Sequence, residues 1–246
     1  MGRLFDPWVS FVLKSPTCQD EPDRTDPGKS ASLGDNWESD GRKTKAMARR
    51  AWSGVGQGRQ ELFERKRQML LRTAARIFSQ RGFDQTTLAD VADELHVSKP
   101  ALYHYFKSKD EILLEIQHAA IAQITEAAPD EGNGRERLTA FVRRYVEMIT
   151  DDFGSCLIIT GVLPLEPQNR QSIRTGSKTV EKTVRDILKL GVEDGSIAPC
   201  DPKITAMLFF GALNWIPYWY RADGELDAEQ LAARVVDFVM TGLKPR

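Results

Sequence analysis

The stretch from Thr86 to Phe106, T-T-L-A-D-V-A-D-E-L-H-V-S-K-P-A-L-Y-H-Y-F, constrains this chain more than any other, because it spells two short helices and the turn between them. Thr87 with Asp90 three residues later predicts a capping box, with Thr86 as the alternative cap. Leu88, Val91, Ala92 and Leu95 then recur on one helical face, and Ala92 is small where a second helix must cross closely. His96 breaks the pattern and Val97 plugs the turn. Ser98 predicts a new N-cap, with Pro100 in the first turn, where its missing N–H does no harm. Leu102 and Phe106 face inward. Two short helices joined by such a turn form a helix-turn-helix, whose second helix enters the DNA major groove.

The residues left outside suit that role. Lys99 can donate to guanine O6 or N7, and the carbons of Pro100 and Ala101 can touch a thymine methyl. Tyr103, His104 and Tyr105 offer donors for phosphates, and Thr87 offers a hydroxyl and a backbone N–H. Ser108-Lys109-Asp110-Glu111 predicts a second capping box opening a longer helix, with Lys109 placed for another phosphate.

Division of the charge supports two functions in one chain. The formal total is −1, yet residues 58–110 carry ten basic and seven acidic side chains, whereas residues 111–246 carry fifteen and twenty. A basic head followed by an acidic body suggests different partners for the two.

Upstream, residues 1–57 read as a disordered extension, dense in Pro, Asp, Ser and Gly between Ser15 and Gly41. Arg42, Lys43, Lys45, Arg49 and Arg50 form a basic run with no acid before Gln57. It reads either as an arm for DNA phosphates or a minor groove, or as a solvated tail. Met47 is the first internal methionine and an alternative start. Leu4–Leu13 is broken by Asp6, Pro7 and Ser10 and has no small-residue cleavage site, so no secretory signal is expected. No run is long enough for a membrane helix.

Helical periodicity also fills the rest. Leu70, Ala74, Ile77 and Phe78 lie on one stripe of a helix that runs from about Glu61 to a stop near Gly82. Beyond residue 130 four helices are expected: Arg135–Thr150, Ser177 to about Val192, one from Asp201 or Pro202 toward Tyr220 with a kink at Pro217, and Asp227–Met240. Residues 153–170 stay open between helix and loop, because Pro164 and Pro167 interrupt an apolar run. The expected fold is all-α, with an N-terminal three-helix head (58–113) on a larger helical body (114–246) for ligand binding and dimerisation.

Other classes fit less well. His96, His104 and His118 form no metal-binding spacing, and no cofactor is expected. Gly54, Gly56 and Gly58 lack the strand and the Lys-Ser/Thr pair of a phosphate loop, and Asp151-Asp152 reads as a helix-end pair, so the chain is not read as an enzyme. Cys18, Cys156 and Cys200 are odd in number and unpaired in spacing, which suits a reducing, cytoplasmic setting.

Over residues 66–113 the chain resembles the TetR/AcrR family of bacterial regulators. The resemblance rests on L-L-R-T-A-A-R-I-F, R-G-F at 81–83, T-T-L-A-D-V-A and V-S-K-P-A-L-Y-H-Y-F-K-S-K-D-E-I-L. It implies that Thr87, Lys99, Pro100, Ala101, Tyr103, His104, Tyr105 and Lys109 occupy DNA-contacting positions. His96 stands where the family often has Gly. The resemblance also implies a homodimer on double-stranded operator DNA, joined by the last two helices, here about 203–220 and 227–241. A ligand pocket in the body is implied too, which would make the chain a repressor released by a small hydrophobic effector. Asn214–Leu226, N-W-I-P-Y-W-Y-R-A-D-G-E-L, is similar to a C-terminal stretch of members that respond to acyl-CoA thioesters or related lipids. Phe141, Tyr145, Met148, Trp215, Tyr218 and Trp219 are the candidate lining of that pocket, and each also reads as core or dimer packing. An activator of the same fold, a drug-responsive repressor of an efflux gene and a protein-interaction module that has lost DNA binding are the alternatives.

Overall fold

The computed structural model describes residues 58–126 and 130–245, which are helical without any strand among them. The basic run and the rest of the extension before residue 58 lie outside the described residues. Helix α1 spans Arg59–Arg81, and it is followed by α2 (Leu88–Glu94), α3 (Lys99–Tyr103) and α4 (Lys109–Glu126). The body continues with α5 (Gly134–Thr150), α6 (Asp152–Thr160), α7 (Pro167–Glu193), α8 (Pro202–Leu213), α9 (Ile216–Trp219) and α10 (Ala228–Gly242).

The head forms as its pattern predicts. Leu70, Ala74, Ile77 and Phe78 of α1 are buried against Val91, Ala92 and Leu95, and Leu102 and Phe106 close the same core. Both components of the Thr87–Asp90 capping box are present, and Ser98 Oγ accepts from Ala101 N. Thr86 caps nothing. It is buried, and its hydroxyl donates to Gly82 O. At Ser108 the box is offset: Glu111 N donates to Ser108 Oγ, but Glu111 Oε2 accepts from Lys107 N.

Head and body share a continuous apolar cluster. Helix α1 packs on α6, with Arg72 paired to Asp151 at 2.8 Å and lying over the Phe153 ring. Helix α4 packs on both α6 and α7. Its first turn grips each side. Lys109 Nζ donates to Phe83 O and Thr86 O of the head (2.6 and 2.9 Å), while Asp110 accepts from Glu166 N and Asn169 Nδ2 of the body (3.1 and 3.0 Å).

In the body one open stretch takes form and two expectations are corrected. Residues 153–170 resolve into α6 and a turn ending at Pro167. Helix α7 begins at Pro167, ten residues before the expected Ser177, because Pro167 is preorganised for a first turn and Asp110 holds that turn by accepting from Glu166 N and Asn169 Nδ2. The helix expected to run toward Tyr220 stops at Leu213. Pro217 has no N–H for Leu213 O and its ring would clash there, so the chain turns at Asn214 and restarts as α9.

Candidate nucleic-acid interface and effector site

The sequence of caps and core residues leaves one face of the head outward. Lys99, Pro100, Tyr103 and His104 are exposed, Ala101 and Tyr105 half-buried. Lys99 Nζ lies 6.0 Å from the Tyr103 ring centroid, one helical turn along, so the two side chains act as one cationic-aromatic patch. Tyr105 stacks on Phe63 of α1 at 4.7 Å, and His104 meets the same ring edge-on at 5.9 Å. Phe63 thus braces the end of the recognition helix, a role the sequence reading missed. Its signal was an aromatic residue in the first turns of an otherwise charged helix start.

Two of the candidate DNA contacts are already engaged. The Thr87 hydroxyl and backbone N–H both donate to Asp90 Oδ2 at 2.7 Å, which holds the Asp90 carboxyl below its usual range. A phosphate at Thr87 must share those donors with Asp90. Lys109 gives two N–H bonds to carbonyls and lies 4.1 Å from the Phe83 ring centroid, so its main structural act is to fix the α1–α2 loop to α4.

The six candidate effector residues do not share one cavity. Phe141 and Tyr145 stack at 5.8 Å inside the body, and Phe209 and Phe210 close around Tyr145 at 6.1 and 5.3 Å. The Tyr145 hydroxyl donates to Asn214 Oδ1 at 2.6 Å, and burial pushes its pKa well above that of an exposed phenol. Met148 is buried elsewhere on α5, against Gly154. Trp215 and Tyr218 stack on each other at 5.0 Å on the exterior.

Trp219 alone of the six lines a groove of about 1050 Å³ running between α8 and α10. Its apolar lining includes Leu138, Val184, Leu188, Phe209, Leu213 and Phe238. Those residues were legible as apolar stripes, but a gap between two helices leaves no mark in periodicity. Among the described residues no cluster of His, Cys, Asp or Glu could hold a metal, and no helix is long and apolar enough to cross a membrane.

Comparison with known proteins accounts for both halves. Residues 70–116 match the family model described as bacterial regulatory proteins, tetR family, and residues 131–243 match the tetracyclin repressor-like C-terminal domain. The crystal structure of PfmR, a TetR-family transcriptional regulator from Thermus thermophilus, is 31% identical, with TM-score 0.64 over 71% of this chain and 98% of that one. The chain belongs to the TetR family. It is also 29% identical over 188 residues to the transcriptional repressor KstR2 of Mycolicibacterium smegmatis, covering 72% of this chain and 90% of that protein. AibR, solved in complex with isovaleryl coenzyme A and operator DNA, is 25% identical with TM-score 0.63, covering 73% of this chain and 98% of that one. This TetR-family chain is a DNA-binding transcriptional regulator of the helix-turn-helix type.

Proposed function

We propose that this TetR-family regulator is a cytoplasmic homodimeric repressor that an acyl-CoA thioester releases from a palindromic operator. The observation that carries the reading is the outward face of α3, on a head that the first turn of α4 bonds to the body. In the major groove Lys99 reads guanine, Pro100 and Ala101 meet a thymine methyl, and Tyr103, His104 and Tyr105 hold phosphates, with Thr87 and Lys109 at the flank. A dimer sets two such helices about 34–36 Å apart, so a small rotation of α4 is enough to spoil the spacing.

For the effector, the aromatic cluster of Phe141, Tyr145, Phe209 and Phe210 is apolar, with one oriented polar pair, Tyr145–Asn214. That composition suits an acyl chain ending in a carbonyl. Of the other candidates, Met148 shares α5 with Phe141 and Tyr145, whereas Trp215, Tyr218 and Trp219 sit at or on α9 and are exposed. The repressor KstR2 and the isovaleryl-CoA complex of AibR support repression and a thioester ligand. An effector can shift the protein only by its differential affinity for the two states.

The test is a titration of the operator complex, on a palindrome from upstream of the gene, with isovaleryl-CoA and longer acyl-CoA thioesters. Release of DNA by a thioester, weakened about tenfold in Tyr145→Phe, is expected for loss of one buried hydrogen bond. DNA binding that no thioester disturbs would discard the effector and keep the repressor.

A further inference from the structure

Among the described residues the buried polar or charged side chains are Thr73, Thr86, Gln117 and Asn214. Of these, only Gln117 carries a buried atom without a hydrogen-bond partner, its Oε1. Gln117 stands on α4 and is 0% exposed. Its Nε2 donates to Gly161 O at 2.6 Å, where α6 ends in a backbone conformation (φ 59°, ψ −162°) that essentially only glycine adopts. A backbone carbonyl can only accept, so this bond fixes the amide with its nitrogen toward Gly161 and its oxygen free.

A buried acceptor with no donor costs more than an ordinary internal hydrogen bond returns, and leucine or methionine would fill the same volume without that cost. The free oxygen therefore asks for a donor that the chain itself does not supply. Its surroundings narrow the choice. Leu113, Ile116, Ala120 and Ile124, which flank Gln117 on α4, belong to the same continuous apolar cluster as Phe141 and Tyr145. A plain acyl chain and its thioester carbonyl hold no donor at all. An amide N–H would bring a carbonyl of its own, and Gln117 Nε2 is already given to Gly161. A hydroxyl brings the donor on a single atom. Gln117 also lies on the helix that carries the head: Lys109 and Asp110, which bond α4 to head and body, are two turns earlier, ~10–12 Å along the axis.

We propose that Gln117 Oε1 accepts a hydrogen bond from a hydroxyl on the acyl chain of the effector, so that the regulator answers to a hydroxyacyl thioester before the plain one. The proposal rests on the thioester reading above and narrows it. A site built to bond a hydroxyl rejects the analogue without one, because the protein group is then left unpaired.

The experiment titrates the operator complex of the full chain with butyryl-, octanoyl- and dodecanoyl-CoA, each beside its α-, β- and ω-hydroxy forms. At least one hydroxy form is expected to release DNA at a concentration about tenfold or more below its plain counterpart. In Gln117→Leu and in Gln117→Met that ratio should collapse to within about threefold. The ratio is taken between two ligands on one protein, so a structural effect that weakens both alike cancels. Should either variant bind DNA poorly, the same ratio is read from the rise in melting temperature that each thioester causes, without DNA. The proposal is overturned if the unaltered chain prefers no hydroxy form, or if both variants keep the preference. In those two outcomes the plain thioesters still release the operator and the parent reading stands. Release by none of the thioesters removes the parent reading itself, and this one with it.

Discussion

His96 sits in the turn of the helix-turn-helix at φ 53°, the only non-glycine residue at positive φ among the described residues. The conformation is imposed by its neighbours. Val97 N reaches back to Ala92 O at 2.9 Å and His96 N to Asp93 O at 3.0 Å, the paired bonds that close a helix through a left-handed residue. A side chain there costs roughly 1 kcal/mol that glycine does not. His96→Gly should therefore raise the melting temperature by about 2–4 °C without changing operator affinity, as read by thermal unfolding and a gel shift. A lower melting temperature would mean that the turn is not the strained point. Lys99 and Tyr103 divide differently, although they touch. Tyr103→Ala should weaken binding to all sequences, whereas Lys99→Ala should also relax preference at one base pair, where a good contact is worth ~1–3 kcal/mol of discrimination. Binding of both variants to an operator and its single-base-pair substitutions separates them. Unchanged affinity in both would remove α3 from the DNA face.

At the scale of elements, α5 and α7 meet backbone against backbone. A Cβ on Gly134 would stand 2.1 Å from Gly191 Cα, against backbone that cannot give way, and Gly134 N is bonded to Asp194 at 2.7 Å. Gly134→Ala should therefore destabilise by about 3 kcal/mol, the upper range for overpacking. Its melting temperature should fall by roughly 6–12 °C, and a fall below about 2 °C would show that the helices slide apart at little cost. Which elements were legible follows from what holds each one. The head is written in local chemistry: the caps at Thr87 and Ser98 and the inward Leu102 and Phe106 are all decided within a few residues. The first part of α7 is not, because Pro167 to Gly176 buries only Ile173 and its start is held by Asp110 from another helix. Pro217 announced a disturbance, but the buried bond between Asn214 at the break and Tyr145 of α5 is a tertiary contact that no local pattern marks. The effector candidates were chosen by residue type, but their places, inside the body for Tyr145 and outside for Trp215, are tertiary facts.

Over the whole molecule, most of the exposed large apolar side chains belong to α8, α9 with the turn before it, and α10. Ile204 and Leu208 of α8, Trp215 and Trp219 around α9, and Phe238 of α10 are all exposed, Leu208 to 71% and Phe238 to 73%, and several of them border or line the groove between α8 and α10. A soluble monomer rarely leaves so much contiguous apolar area in water. A two-fold contact would bury the patch against its own copy, since an isologous interface is self-complementary. The same contact would then set the distance between the two recognition helices, so dimer strength and operator affinity become one quantity. Substituting Leu208 and Phe238 together by Glu places four like charges in that interface and none near the head. The expected result in sedimentation is a shift from dimer to monomer with the helical content preserved. Affinity for a palindromic operator should drop by about 100-fold or more, the avidity lost when one of two linked sites is removed, while weak binding to a single half-site persists. A variant that sediments as a monomer yet holds the full operator as tightly as the parent would break the link between body and DNA spacing. A variant that remains a dimer would instead place the two-fold contact on another face.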